Sequence, residues 1–361
     1  MKDFKTILNE FKKVDLTKRK AAVATVVRVR GSSYRSPGAR MLITDDGRWV
    51  GSISGGCLEG DALRKARQVM IDNKPITVTY DTNEDSNQNL GIGLGCNGII
   101  DVLIEPASNA ISLYNSIVDI EEPVALATTF DGKKFLVHSD SKPKNTIEER
   151  LLSLFETKQS VTEMIDGVEV FLELIQPGFK LILFGGGFDA RPVSQLAKSL
   201  GWEVQVTDEC AAHIAPLFYP TADKLSLCQR QFIDRDFNIS PYTACVLMSH
   251  NYEYDRDVLR KLVNTSSPYI GILGPKKRFD KMLTEFAKEG ITLSEDQLSR
   301  VHSPIGLDIG AEAPDEIAVA IISEIQARFS NRDGGFLKNR DGAIHTRDEK
   351  TDQVFKQVYL E

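Results

Sequence analysis

A glycine turn at 185–187 carries the clearest chemical signal in the chain. The stretch KLILFGGGFDARPVSQLAKSLGWEVQVTD contains Gly185-Gly186-Gly187-Phe188-Asp189-Ala190, a G-x-G-x-x-A variant. It follows an apolar run, opens a helical pattern and leads to a second apolar run ending at Asp208. In a dinucleotide-type fold the first glycine allows the tight turn, the second lets backbone approach a pyrophosphate, and the small third residue permits close helix–strand packing. The helix N-terminus offers free N–H groups and a positive dipole to phosphate. Asp208, 21 residues beyond Gly187, is placed to accept from ribose hydroxyls. Asp189 works against a phosphate in the same turn. Arg191 could neutralise it as a surface pair, or reach the phosphate itself. A Rossmann-type domain is expected; whether its turn holds a nucleotide is left open.

Other candidates fall at the ends of later strands, where open α/β sheets bind ligands. His250, in SHNYEYD, is a proton carrier or ligand contact on one reading and a turn-holding loop residue on the other. Lys276, Lys277 and Arg278 read as an anion-facing loop or as solvated charge, and Gly306, Asp308 and Gly310 mark another ligand-facing loop. The amino-terminal half has its own constellation. Gly55-Gly56-Cys57 stands immediately before a helical pattern, where a thiol is made more acidic and a glycine pair leaves amides open to an anion. Cys96 sits in a similar setting, GIGLGCNG. A soft metal or sulfur-bearing ligand between Cys57 and Cys96 is one reading, and two buried thiols the other. Glu59 reads as a local base or as a helix cap.

These residues need elements to hold them. Residues 4–13 and 16–20 have helical apolar spacing, AAVATVVRVRG reads as a buried strand, and RMLITDDGRWVGSISGG as a hairpin about Asp46-Gly47. LEGDALRKARQVMIDNK is a helix pattern, and ITVTYDT and GIIDVLIEPA are strands. From Ser108 to Gln176 the pattern weakens to a hairpin (PVALATTFDGKKFLVHS), a helix at 146–156 and the strand VEVFLELI. After Pro177-Gly178 strands alternate with helices: KLILFGGG, EVQVTD, TACVLMSH and PYIGILG, each followed by a helix. That rhythm signals a parallel sheet with crossover helices. The division expected is therefore 1–176, an α/β domain; 177–330, a Rossmann-like domain; and 331–361, a charged tail.

Length and composition agree. The chain has 361 residues, 42% hydrophobic and 26% charged, which excludes a largely disordered or low-complexity protein. Lys+Arg 44 against Asp+Glu 51 gives −7, without the basic face of a nucleic-acid binder. No run approaches the ~18 apolar residues of a membrane span. The charged start MKDFKTILNEFKKVDLTKRK does not read as a secretory leader, and five scattered cysteines read as reduced thiols. A cytoplasmic protein is the expectation.

The sequence resembles the xanthine dehydrogenase accessory protein family (XdhC/CoxI type). The likeness is carried by GSSYRSPGARM, GSISGGCLE, LGCNG with DVLIEP, LILFGGGFDARPV, SHNYEYD, YIGILGPKKR and HSPIGLDIGAEAPDEIAVAIISEI, over roughly residues 10–330. The resemblance implies a small amino-terminal α/β domain joined to a Rossmann-like parallel-sheet domain. It also implies a role in maturing molybdenum hydroxylases. Members bind molybdenum cofactor (molybdopterin), promote exchange of an oxo for a sulfido ligand through a cysteine desulfurase, and hand the cofactor to the apo-enzyme. Carried over residue by residue, the cofactor-binding positions are Gly55, Gly56, Cys57, Glu59 and Cys96, then Gly185, Gly186, Gly187, Asp208 and His250. Cys57 and Cys96 are the metal-facing pair. The chain departs from the family pattern at Glu209-Cys210-Ala211, at His250-Asn251 and in GFDARPV. Proteins meeting two partners often dimerise, so a homodimer is compatible. Two other readings stay open here: an NAD(P)-dependent oxidoreductase with His250 as acid/base, and a scaffold with a vestigial Rossmann domain.

Overall fold

The run AAVATVV is buried at every position, Thr25 included, because its strand is covered on both faces. The structure, a computed structural model, describes residues 1–15, 17–31, 33–81 and 98–340, so Cys96 lies outside the described residues. The chain divides into two units, Met1–Pro177 and a second beginning at Gly178.

In the first unit, the strand Ala21–Gly31 is central to an antiparallel sheet ordered Trp49–Gly51, Arg40–Thr44, Ala21–Gly31, Gly98–Pro106, Ile76–Asp81. Side chains alternate across a strand. Ala22, Ala24 and Val26 therefore pack with Ala62, Ala66 and Val69 of the helix Glu59–Asp72, whereas Ala21 and Val23 pack with Phe4, Ile7, Ala110 and Tyr114. A second antiparallel sheet is ordered Lys134–His138, Val124–Thr129, Val168–Ile175, Val161–Ile165, and Val124, Leu126 and Ile175 join that second cluster.

Three local readings need correction. The first helix runs only Lys2–Phe11, and residues 17–20 are turn and coil. Asp15 Oδ1 accepts from the Thr17 amide at 3.1 Å and its hydroxyl at 2.6 Å, a local bond that competes with helix. The weakly patterned middle holds a helix, Ala107–Ile117, whose stripe of Ala107, Ala110, Ile111, Tyr114 and Ile117 is masked by intervening Ser and Asn. It also holds a strand, Val161–Ile165, joined to Val168–Ile175 by Asp166-Gly167, both with positive φ as a tight hairpin requires.

Arg40, which the sequence places among small loop residues, begins a strand and is buried. It pairs with Glu173, donates to the Tyr114 hydroxyl at 3.1 Å and the Gly38 carbonyl at 2.6 Å, and lies 4.4 Å over the Phe4 ring. Burial opposes its charge, but Glu173 and Tyr114 outweigh that and raise its pKa.

The second unit is a six-stranded parallel sheet ordered Lys224–Leu227, Glu203–Asp208, Lys180–Phe184, Thr243–Leu247, Tyr269–Ile272, Val301–His302. This is the Rossmann-like order, with chain connections reversing direction between Lys180–Phe184 and Thr243–Leu247. One expected element is different: instead of a long helix after EVQVTD there are a 3-10 turn at Ala211–Ile214, the strand Lys224–Leu227 and a short helix, Ile233–Asp236. Pro216 and Pro220 prevent a helix through that stretch. Among the described residues, no helix is long and apolar enough to cross a membrane.

Candidate functional site

The sheet's switch point brings Gly185–Gly187 beside Ser249 and His250. Gly185 has φ +112, and a Cβ there would stand 2.4 Å from the Ser249 Cα and N. Only glycine lets the two strand ends come this close. A Cβ on Gly186 would meet the His213 carbonyl at 2.8 Å, and one on Gly187 would sit 3.7 Å from the His250 Cδ2. The turn leads into the helix Ala190–Ser199.

Asp208 turns toward the glycines. Its Oδ2 accepts from the Gly186 amide at 2.8 Å and lies 3.0 Å from His213 Nδ1, while Oδ1 accepts from the Cys210 amide at 2.8 Å. The carboxylate expected to meet a ribose is thus engaged within its own chain. Of the two readings of Arg191, the surface pair with Asp189 does not form. Asp189 Oδ2 lies 3.2 Å from His250 Nε2, and the Arg191 guanidinium lies 3.7 Å over the Phe218 ring. The Tyr219 hydroxyl donates to the Gly187 carbonyl at 3.1 Å.

Lys276, Lys277 and Arg278 form the first turn of the helix Lys276–Lys288 rather than a loop. Lys276 and Lys277 are exposed, and Arg278 pairs with buried Asp255 at 2.7 Å. In the 303–313 loop the Gly306 amide donates to Glu324 Oε2 at 2.8 Å, and the same carboxylate holds His302 and Tyr269. Burial opposes ionisation of Glu324, but bonds from His302, Tyr269 and Gly306 outweigh it and lower its pKa. Gly310 has φ +73 with open space around it.

In the first unit, the loop before the helix Glu59–Asp72 is built around Glu59. Its buried carboxylate accepts from the Ser52 hydroxyl at 2.8 Å, the Ile53 amide at 3.2 Å, the Ser54 amide at 2.9 Å and the Ser54 hydroxyl. The Ser54 oxygen accepts in turn from the Gly56 and Leu58 amides at 3.2 and 3.1 Å, so the residues on either side of Cys57 are fixed. Gly56 has φ +113 and nothing within 4 Å of a Cβ position, and Gly55 faces the Tyr34 ring. Cys57 is half-buried. Burial pushes the Glu59 carboxyl up, but the Ser54 and Ser52 bonds outweigh it and hold it below the ordinary glutamate range. Glu59 is built as a loop anchor rather than as a base.

Ser54 was not singled out from sequence. The available signal was the serine spacing in GSISGGC with a carboxylate following on the next helix.

A test follows from the sign of the Glu59 shift. A depressed carboxylate pKa stabilises above the ordinary carboxylate range, and that stability is lost as pH falls through the folded value. Glu59→Gln should cost about 1–3 kcal/mol near neutral pH, because one of the two acceptor oxygens becomes an N–H donor that faces the donors from Ser52, Ile53 and Ser54. Denaturant midpoints should show the gap from wild type narrowing from pH 7 toward pH 3. A gap constant with pH would contradict the assignment.

The remaining thiols differ. Burial and Asp236 push Cys228 up to about 12, and burial pushes Cys245 up to about 12. Cys210 is exposed. Among the described residues, no group of three or more His, Cys, Asp or Glu could hold a metal ion.

Comparison with known proteins places this geometry. Residues 181–325 match the XdhC Rossmann domain, and residues 16–81 match the XdhC and CoxI family. The chain is 30% identical over 321 residues to a probable xanthine dehydrogenase subunit of Bacillus subtilis (strain 168), covering 84% of this chain and 92% of that protein. It is 23% identical over 323 residues to the molybdenum cofactor insertion chaperone PaoD of Escherichia coli (strain K12), covering 90% of this chain and 88% of the relative. A crystal structure of a Bacillus halodurans protein described as a xanthine dehydrogenase superimposes with TM-score 0.74 at 28% identity, covering 94% of this chain and 98% of the other. With the Gly-Gly-Cys loop in one unit and the glycine-turn sheet in the other, the chain belongs to the XdhC and CoxI family.

Proposed function

We propose that this protein binds molybdenum cofactor as cargo and assists its sulfuration and insertion into a xanthine dehydrogenase-type molybdenum hydroxylase. The observation that carries the reading is similarity to a molybdenum cofactor insertion chaperone over 90% of this chain and 88% of that relative. The chemistry of the loops supports it. The cargo is an anionic pyranopterin phosphate with a soft, labile metal end. Cys57, half-buried beside the open Gly56, is the residue of the first unit proposed to meet a metal. The Gly185–Gly187 turn is the element of the second proposed to meet a phosphate; among the described residues, nothing accepts from the Gly187 and Phe188 amides. The apo-hydroxylase and a cysteine desulfurase are the proposed partners. The engagement of Asp208 by Gly186, Cys210 and His213 counts against an NAD(P)-dependent dehydrogenase.

The test is reconstitution of an apo-hydroxylase with cofactor, desulfurase and this protein. Cys57→Ser should lower the sulfurated fraction about tenfold or more while the cofactor is still delivered. Unchanged sulfuration would remove Cys57 from the role. A wild-type protein that improves neither delivery nor sulfuration would overturn the reading.

A further inference from the structure

Lys18, Arg19 and Lys20 stand in a row just before the first unit's central strand. Two other elements meet them there. The Lys20 amide donates to Asp45 Oδ2 at 3.2 Å, and its carbonyl accepts from the Asp45 amide at 3.0 Å, which ties the segment to the hairpin turn. The Lys20 Nζ donates to the Met70 carbonyl at 2.9 Å, one of the acceptors left unpaired at the end of the helix Glu59–Asp72. Arg19 pairs with Asp45 and Asp46 at 3.3 and 3.5 Å, and Arg48 with Asp46 at 2.9 Å. A Cβ on Gly47 would lie 3.5 Å from Arg67 Nη2, so the helix's Arg67 reaches the same turn. Lys18 is balanced locally by Asp15.

Four cations, Arg19, Lys20, Arg48 and Arg67, therefore gather about two carboxylates, Asp45 and Asp46, in a chain whose net charge is −7. The helix's own acids turn elsewhere. Asp61 accepts from the Tyr80 hydroxyl on the far edge strand at 3.0 Å and pairs with Arg64, and Asp72 accepts from Gln68. Among the described residues no carboxylate pairs with Arg67, which is exposed.

Two large apolar side chains flank Arg67. Ile71, one turn further along the helix, is 69% exposed. Trp49, on the edge strand, is directly opposite Ile43, whose side chain packs with Ala62 and Ala66 of the helix. Directly opposed residues share a face, so Trp49 lies on the helix side of the sheet, where it is 56% exposed. Arginine and tryptophan are the residue types on which protein interfaces depend most. Arg19 and Lys20 are already held by their own chain, so they lose little freedom on binding. Asp45 and Asp46, at the centre of the cations, repel a phosphate chain but leave an ion-pairing protein surface acceptable.

We propose that this face, with Trp49, Arg67 and Ile71 at its centre, docks a carboxylate-bearing surface of the apo-hydroxylase. The proposal rests on the cargo reading for the identity of the partner and goes beyond it in naming the face that meets it. Opposite charge across an interface steers encounter and fixes register, while the apolar pair resists separation.

The experiment measures association and dissociation of the full chain with purified apo-hydroxylase at low and at physiological salt. Wild-type association should slow about tenfold or more as salt is raised. Arg67→Glu should lower the low-salt association rate about tenfold and flatten the salt dependence. Ile71→Ala and Trp49→Thr, which keep helix and strand propensity, should speed dissociation about threefold to tenfold. Lys65→Glu makes the same charge change on the opposite side of the helix and should bind like wild type. All four should melt like wild type and retain cofactor equally. Wild type that does not bind the hydroxylase, binding that none of the three central substitutions alters, or an equal loss in Lys65→Glu overturns the proposal. So does loss of desulfurase binding or of self-association in place of hydroxylase binding. A hydroxylase contact that depends on Arg67 in a protein that retains no cofactor supports the docking face and overturns the cargo reading instead.

Discussion

Gly185→Ala should strongly destabilise the second unit. Two effects add. The φ of +112 lies where side chains are strained, at ~1–3 kcal/mol. The new methyl would also stand 2.4 Å from backbone atoms of Ser249, which cannot yield like a flexible side chain, for another ~1–3 kcal/mol. A total of about 2–6 kcal/mol is a large part of the ~5–15 kcal/mol that holds a typical domain. Trp202, buried in this unit's core, gives a local fluorescence readout of its denaturant unfolding. Gly310→Ala, in the same unit, is the control, since it shares a positive φ but meets no atom within 4 Å. It should lose only the strain component. A wild-type midpoint for Gly185→Ala would show that the strand ends do not approach as described.

Glu173→Ala should destabilise the first unit by about 3–5 kcal/mol. Arg40 is 3% exposed and Glu173 5%, so removing the carboxylate leaves a guanidinium out of water with no ionised partner. The Tyr114 hydroxyl and Gly38 carbonyl would remain, but neither cancels the charge. A double replacement, Arg40→Met with Glu173→Leu, separates the cost of breaking the pair from the worth of having it. Buried pairs exchanged for apolar residues of similar size are often neutral. The double variant should therefore unfold much closer to wild type than Glu173→Ala. Equal losses in both would mean that packing, rather than the orphaned charge, sets the cost.

The second unit was legible because its signals are local. A strand, a glycine turn, a helix and an acid at fixed spacing occur in KLILFGGGFDARPVSQLAKSLGWEVQVTD, and the parallel sheet follows from the repeating rhythm. What sequence could not show was where the Asp208 carboxylate points. Its partners, Gly186 and His213, are fixed by the turn's close packing rather than by spacing. Asp189 read as a liability for phosphate until His250 appeared beside it, across the gap between two strand ends.

The first unit was harder to read. Its helix Ala107–Ile117 has a narrow apolar stripe interrupted by polar residues, and its stability comes from packing on Phe4 and Ile7, far away in sequence. Arg40 looked like a surface arginine because its partner, Glu173, lies 133 residues on. The Gly-Gly-Cys loop was visible as a motif, but the Glu59–Ser54 scaffold that shapes it needs the folded turn.

The central claim is that the protein carries molybdenum cofactor, and retention under anaerobic conditions tests it most directly. Purified protein is mixed with released cofactor and free ligand is removed by filtration. Retained molybdenum and pterin are then assayed together. The account expects retention near one per chain, lost in Gly187→Leu. That substitution meets His250 at 3.7 Å from the first added atom and fills the switch point without a backbone clash. No retention by wild type, alongside tight NAD(P) binding, would contradict the account and make the second unit a dinucleotide domain.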